Sequence, residues 1–410
     1  MGNLLFRETG RYHAVLASEP ARGIALTRLA VLTSHPVQYY GPLFRALAKE
    51  VDLHVFFAHR ASPAEQARAG FGAPFTWDVD LTSGYACSFL ENVARQPGTD
   101  RFSGCDTPEI GRRLREGRFQ VLLVMGWQLK TYLQGALGAK RLGIRVMVRG
   151  DSHLETPRSP LKNALKAAVY PRFLKLFDAA LYVGQRSRAY YAYYGYPADR
   201  LFFSPHCVDT AWFAARATAE ERQRLRASHE ISPETTVLLF AGKLIPLKRP
   251  FDLVFAATKC MAGGLSVEIL VAGSGQLQSQ MEAAAASSGV RLHMLGFRNQ
   301  TEMPAAYAAA DFLVLPSAHE TWGLVANEAL ACGRPIVVSE SCGCAPDLAR
   351  NGQIGRTFPV GDAVALADAI SDLVASPPSH AAIAALSQAY SLEAAVAGIR
   401  SAAESIAARA

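Results

Sequence analysis

The sequence predicts an α/β fold built from two doubly wound domains, each a parallel sheet flanked by helices. Three observations predict it. The chain has 410 residues, too many for one ordinary core and about right for two. Short apolar runs bounded by turn residues recur in both halves, with helical segments between them. Several of these runs end in polar, glycine-bearing loops, and an open α/β sheet binds ligands at the carboxyl ends of its strands.

In the first half, LAVLT (29–33) reads as the opening strand, and the polar loop SHPVQYYGP leads into the amphipathic helix LFRALA. VDLHVFF (51–57) is the next strand, so the stretch is a βαβ unit with Gly41 at the helix entry. His35 in that loop is either a turn residue or a ligand group, and Gln38 stands beside it. Strand runs recur as VLLVM (121–125), VMV (146–148) and AALYV (179–183). The loops after the first two carry Trp127 and the pair Asp151 and His153, and they open on the same sheet edge.

Residues 158–194 interleave Arg158, Lys162, Lys166, Arg172, Lys175, Arg186 and Arg188 with Tyr170, Phe173, Phe177, Tyr190, Tyr191, Tyr193 and Tyr194. One reading is a basic, aromatic surface that rests on a membrane or grips a lipid-linked acceptor. The other is two ordinary helices with solvated basic faces and aromatics in the core. No nucleic-acid motif accompanies the basic residues, so no nucleic-acid partner is expected. Charge is uneven along the chain: residues 1–216 hold 28 Lys and Arg against 17 Asp and Glu, a balance of +11, and residues 217–410 hold 14 against 18, a balance of −4. A basic first half suits an anionic partner.

In the second half, VLLFA (237–241) is a buried strand, and GKLIPLKRP follows it with Gly242, Lys243 and Lys248 on one strand–helix loop. At a sheet's carboxyl edge two such lysines clamp a diphosphate by charge and donors; elsewhere they face solvent. VEILVA (267–272) ends in Gly273 and Gly275. A dinucleotide fingerprint needs a small residue where Gln278 stands, which argues against an oxidoreductase. LHMLGFR (292–298) is a further strand and loop ending at Arg298.

The densest stretch is residues 312–340: strand FLVL, polar loop AHETWG, helix LVANEALAC stopped by Gly333 and Pro335, and strand IVV. Glu320, Thr321 and Trp322 lie on the loop, and Gly323, Leu324 and Val325 open the helix, where unpaired N–H groups suit an anionic oxygen. Glu328 follows about 7 Å along the helix axis, at ~1.5 Å per residue. A carboxylate there suits two adjacent hydroxyls, as on a ribose. Acid, anion site and acid along one crevice fit a sugar, a diphosphate and a ribose laid end to end.

This run resembles the E-x7-E segment of the retaining glycosyltransferase family 4, which has the GT-B fold, with Glu320 and Glu328 as the two acids. GKLIPLK is similar to that family's G-[RK]-L-x-x-x-K motif, with Lys243 and Lys248 at the phosphate-binding positions. SPHCVD (204–209) resembles the N-G-V-D turn that closes the family's first domain, with His206-Cys207 in place of Asn-Gly. The resemblance covers most of the chain from Leu29 onward.

It implies two facing Rossmann-like domains: an acceptor-binding domain at 28–210, a linker at 211–232 and a nucleotide-sugar domain at 233–388, with the helix 389–410 returning to the first domain. Residues 1–27 are an N-terminal extension. The implied catalytic groups are Glu320, Lys243, Lys248 and one of Asp151 and His153. Gly242, Gly273, Gly275, Arg298, Thr321, Trp322, Gly323, Leu324, Val325 and Glu328 would hold the donor. His35, Gln38, Gly41 and Trp127 would stand on the acceptor side.

The implied reaction moves a glycosyl group from a UDP- or GDP-linked sugar to a hydroxyl of a glycan or lipid-linked acceptor, with retention, in bacterial surface polysaccharide or glycolipid synthesis. No cofactor or metal is expected, and no Asp-x-Asp motif stands out to hold one. The alternatives are a sugar-nucleotide epimerase of the same fold, a glycosyl phosphorylase, for which no pyridoxal-lysine motif is clear, or a non-catalytic nucleotide-sugar-binding protein. Seven scattered cysteines without C-x-x-C suit reduced thiols. Neither a signal peptide nor an apolar run of ~18 residues is read from the sequence, so the expected place is the cytoplasm, with peripheral contact at the inner membrane.

Overall fold

The computed structural model describes residues 27–66, 75–156, 159–349 and 352–408. Residues 1–26 of the expected extension and Arg158 of the basic segment lie outside them. The first sheet contains β1 (Arg28–Thr33), β2 (Asp52–Phe57), β3 (Ala86–Phe89), β4 (Val121–Val124), β5 (Arg145–Gly150), β6 (Ala179–Tyr182) and β7 (Leu201–Phe203), in the order β3-β2-β1-β4-β5-β6-β7. The second contains β8 (Thr236–Ala241), β9 (Val267–Ala272), β10 (Arg291–Gly296), β11 (Phe312–Leu315), β12 (Ile336–Ser339) and β13 (Arg356–Phe358), in the order β10-β9-β8-β11-β12-β13.

Every pairing among these strands is parallel. The central strands β4, β9 and β11 are buried along their whole length, which is why they read as unbroken apolar runs and not as alternations. In each sheet the strand order reverses at one place, between β1 and β4 and between β8 and β11. Loops leaving those strands diverge to opposite faces and open a crevice.

The chain passes between the two units twice. The first passage, at residues 204–209, is pinned by the buried Arg149 at the end of β5. Its guanidinium donates to the Ser204 carbonyl and hydroxyl at 3.3 and 3.2 Å and to the Pro205 carbonyl at 2.5 Å. The second passage precedes the helix Leu392–Ala407, whose Leu392, Val396, Ile399 and Ile406 sit in the apolar core of the first sheet. Gly398 allows that approach, because a Cβ there would stand 1.8 Å from the Phe203 carbonyl oxygen. The span His380–Ala407 is long and apolar enough to cross a membrane by length and composition, and 56% of its apolar window is buried inside the protein.

Residues 158–194 divide between the two readings of that stretch. Tyr170, Phe173, Phe177, Tyr190 and Tyr191 pack around Trp127 with ring centroids 6.1–6.2 Å from it, so these aromatics belong to the core. Arg186 is spent on Glu155 and the Glu340 carbonyl. The helix Pro160–Phe173, however, has no buried residue, and Leu161, Leu165 and Val169 are 80%, 65% and 48% exposed. Spaced four apart, they form one apolar stripe on a helix that also carries Lys162 and Arg172.

Candidate active site

The crevices of the two sheets meet in one cleft of about 690 Å³, within the size of ordinary small-ligand sites. The first half lines it with the loop after β1 (His35, Gln38, Tyr39), with Met125 and Gln128 after β4, with Asp151 after β5 and with His206. The second half contributes Gly242, Lys243 and Lys248 after β8, Gly273 after β9, Arg298 after β10, and Glu320, Thr321, Trp322, Gly323, Leu324, Val325 and Glu328 after β11. All of these loops leave the carboxyl ends of strands.

Backbone crossings fix the second-half loops. A Cβ on Gly273 would lie 1.8 Å from the Gly242 carbonyl oxygen, and one on Gly275 would lie 2.5 Å from that of Leu244. The loops after β8 and β9 therefore meet backbone to backbone. Gly275 acts there, behind the wall, and is not part of the cleft lining. Gly323 has φ +99°, a turn that glycine makes without strain, and a Cβ on it would meet Leu315 at 2.8 Å. The helix Leu324–Ala331 that follows has no side-chain cap, so its first N–H groups open toward the cleft that Leu324 and Val325 line. The Gly343 N–H donates to the Glu320 carbonyl at 2.9 Å and ties the catalytic-candidate loop to the loop after β12.

Charge is organised in pairs. Lys248 and Glu320 form an ion pair, each side chain 19% exposed. Burial, then the neighbouring Lys248, pull the Lys243 ammonium below its ordinary range, with Glu320 acting the other way. Glu328 is buried and takes a 2.5 Å hydrogen bond from the Tyr307 hydroxyl. Burial pushes its carboxyl up to about 7, against hydrogen bonds from Tyr307 and Tyr39. Tyr39 belongs to the loop after β1 yet packs on the core of the second half, so Glu328 is reached from both sides of the cleft.

The candidates for the first half separate. Asp151 lines the cleft, whereas His153 is buried, its ring 5.2 Å from that of His319, and is not part of the lining. His35 and Gln38 line the cleft, with the His35 Nδ1 3.0 Å from the Ser34 hydroxyl. Gly41 packs against Leu81, where a Cβ would meet the carbonyl oxygen at 3.3 Å, and Trp127 lines a smaller adjoining cavity of about 130 Å³ with Asp151 and His206. Trp322 lines the cleft, but its indole N–H is used by Asn327 at 2.8 Å, and Asn327 in turn donates to the His206 carbonyl at 3.1 Å.

Two residues of the cleft were not among the site candidates read from the sequence. His206 Nε2 stands 3.5 Å from the Asp151 carboxylate, with burial lowering the imidazole's proton affinity. Its signal was the departure from Asn-Gly in SPHCVD. Trp77 lines the cleft from a first-half segment that carries no strand or helix pattern.

The comparisons with known proteins fall on this geometry. Residues 221–388 match the family of glycosyl transferases group 1. The matched stretch holds every second-half residue just described. A D-inositol 3-phosphate glycosyltransferase of Pseudarthrobacter chlorophenolicus is 32% identical over 217 residues, 50% of this chain and 50% of that one. A GDP-mannose-dependent phosphatidylinositol monomannoside mannosyltransferase of Mycolicibacterium smegmatis is 28% identical over 62% of this chain and 68% of its own length. The chain thus spans about half the length of the first curated relative it matches.

Among solved structures, a glycosyltransferase from Rickettsia africae superposes with a TM-score of 0.70 at 11% identity, over 93% of this chain and 98% of that one. Anabaena HepE in complex with UDP gives 0.67 at 18%, over 92% and 100%. At such identities the likeness speaks for the fold, and the fold is GT-B: two Rossmann-like units facing across a cleft.

Proposed function

We propose that the chain is a retaining hexosyltransferase of glycosyltransferase family 4, moving a sugar from a UDP- or GDP-linked donor to a hydroxyl of a glycan or lipid-linked acceptor. One observation carries the reading: Lys243, Lys248 and the uncapped helix start line one cleft together with Glu320 and Glu328. A leaving diphosphate needs that concentration of positive charge and donors. The cations and N–H groups present supply it, so the proposed mechanism is metal-independent and uses no cofactor. Glu320, held by Lys248, would orient the sugar hydroxyls and favour its developing positive charge, and Glu328 would take the ribose. The domains facing across the cleft would exclude water, which otherwise hydrolyses the donor.

In this reading attack comes from the leaving-group face, and the donor phosphate takes the acceptor proton. The Asp151–His206 pair favours a second reading, in which the imidazole takes that proton and the product is inverted. The anomeric configuration of the first-formed product, read by NMR, decides between them. An epimerase would release a changed nucleotide-sugar with no acceptor present, and a binding protein would turn over nothing.

The exposed Leu161–Leu165–Val169 stripe among lysines suits an anionic membrane surface, as a lipid-linked acceptor in surface polysaccharide or glycolipid synthesis would require. The relative from Mycolicibacterium smegmatis is named for a phosphatidylinositol-linked acceptor. The proposed place is the cytoplasmic face of the inner membrane.

The deciding experiment is slow hydrolysis of a panel of nucleotide-sugars with EDTA present, comparing wild type with Glu320→Ala and Lys248→Ala. Turnover of one donor by the wild type and a loss on the order of 10²–10³-fold in both variants is the expected result. Failure of the wild type to bind any donor would sink the assignment.

A further inference from the structure

In the proposed donor reading the second half takes the sugar, diphosphate and ribose, and Trp77 of the first half lines the same cleft. Building on the donor reading above, we propose that Trp77 forms a stacking face for the donor's nucleobase, so that the base is held between the two halves of the chain.

Position carries the inference. Glu328 is joined through Tyr307 to the helix Met303–Ala309, and the loop that enters this helix supplies Phe297, Arg298 and Gln300 to the cleft. A base attached to a ribose at Glu328 therefore falls on this loop. Trp77 lines the cleft from the opposite half, on a segment bonded to this loop.

The segment bearing Trp77 is built onto the loop. The Asn299 side-chain amide donates to the Thr76 carbonyl at 2.8 Å, and the Thr301 N–H donates to the Asp78 carboxylate at 3.2 Å, joined there by the Thr301 hydroxyl. Phe75 packs on Phe297 with centroids 4.5 Å apart and braces Trp77 edge-on at 4.9 Å and 90°. Trp77 is thus held on both flanks of the chain while it lines the cleft. An indole held this way offers a flat π surface, which every nucleobase can stack on regardless of its hydrogen-bonding edge. The consequence is an affinity for nucleotide over bare diphosphate, with little choice between uracil and guanine coming from Trp77 itself.

The test is calorimetric titration of the full chain with UDP, GDP and inorganic pyrophosphate, comparing wild type, Trp77→Ala and Trp77→Phe. Trp77→Ala is expected to weaken the preferred nucleoside diphosphate about tenfold and leave pyrophosphate unchanged, and Trp77→Phe is expected to keep most of the affinity. Wild-type nucleotide affinity in Trp77→Ala overturns the assignment while leaving the donor site standing. An equal loss for pyrophosphate in both variants overturns it too, by making Trp77 a structural residue. If the wild type binds neither nucleotide, the donor reading falls and this one with it.

Discussion

The two walls of the cleft are made in different ways. On the second-half wall, loops cross through backbone, so the glycines at 273, 275 and 323 are demanded by contact distances or by a left-handed turn. On the first-half wall, side chains do the positioning: Arg149 grips the passage at 204–205, Asp151 meets His206, and Tyr39 reaches across to Glu328. A wall set by backbone contact tolerates few residue types at fixed spacing and therefore writes a motif. A wall set by side chains drawn from distant loops leaves no spacing to read.

The sharpest way to break that contrast is a matched pair of methyl groups. Gly273→Ala drives a Cβ into the Gly242 carbonyl and should cost at least ~3 kcal/mol, with donor binding lost. Gly150→Ala, at the end of β5 on the other wall, meets nothing nearer than 3.9 Å and should change stability by about 0.5 kcal/mol or less. Thermal melts of the two variants measure both, and equal losses would erase the distinction.

Smaller is the expected effect at the contact between halves. Asp347 accepts the Gln185 N–H at 3.1 Å and the Tyr390 hydroxyl at 2.8 Å, joining the helix Gln185–Tyr193 to the second unit. Asp347→Ala leaves the buried Tyr390 hydroxyl and the partly buried Gln185 N–H without this acceptor and should lower stability by about 1–3 kcal/mol, read by chemical denaturation.

Glu328 sharpens the comparison through pH. Its folded carboxyl titrates at about 7, above the ordinary value, so the stability it confers is fully present below the unfolded value near ~4.3 and lost as pH rises through 7. Melting temperatures of wild type relative to Glu328→Gln should therefore fall between pH 5 and pH 8, and a flat difference would contradict the burial of that acid. The smallest change in stability is expected for Leu165→Ser on the exposed stripe, near zero in a melt, while sedimentation with anionic vesicles should drop several-fold.

The sequence showed both sheets because the central strands are buried on both faces, and it showed the Lys243, Lys248, Glu320 and Glu328 array because backbone-built loops keep their spacing. The strands β3, β7 and β13 are both short and only partly buried, so they lack the unbroken apolar run that marked the equally short β4 and β11. In the first half, the catalytic candidates Asp151 and His153 were indistinguishable in RGDSH; in the structure the cleft takes Asp151 and burial takes His153. Trp127 carried a polar loop's address but an aromatic core's surroundings. His206 was marked only by the departure from Asn-Gly in SPHCVD, and Trp77 depends on contacts between distant segments, which no local pattern encodes.

The double passage of the chain has a consequence for dissection. Because Leu392, Val396, Ile399 and Ile406 complete the core of the first sheet, that sheet's hydrophobic inventory is split between the two ends of the polypeptide. A protease cut near residue 217 would leave fragments interlocked through the last helix, not two free domains. Separately produced halves should behave as complementing fragments, the N-terminal one exposing an apolar groove until the missing helix is returned to it in trans.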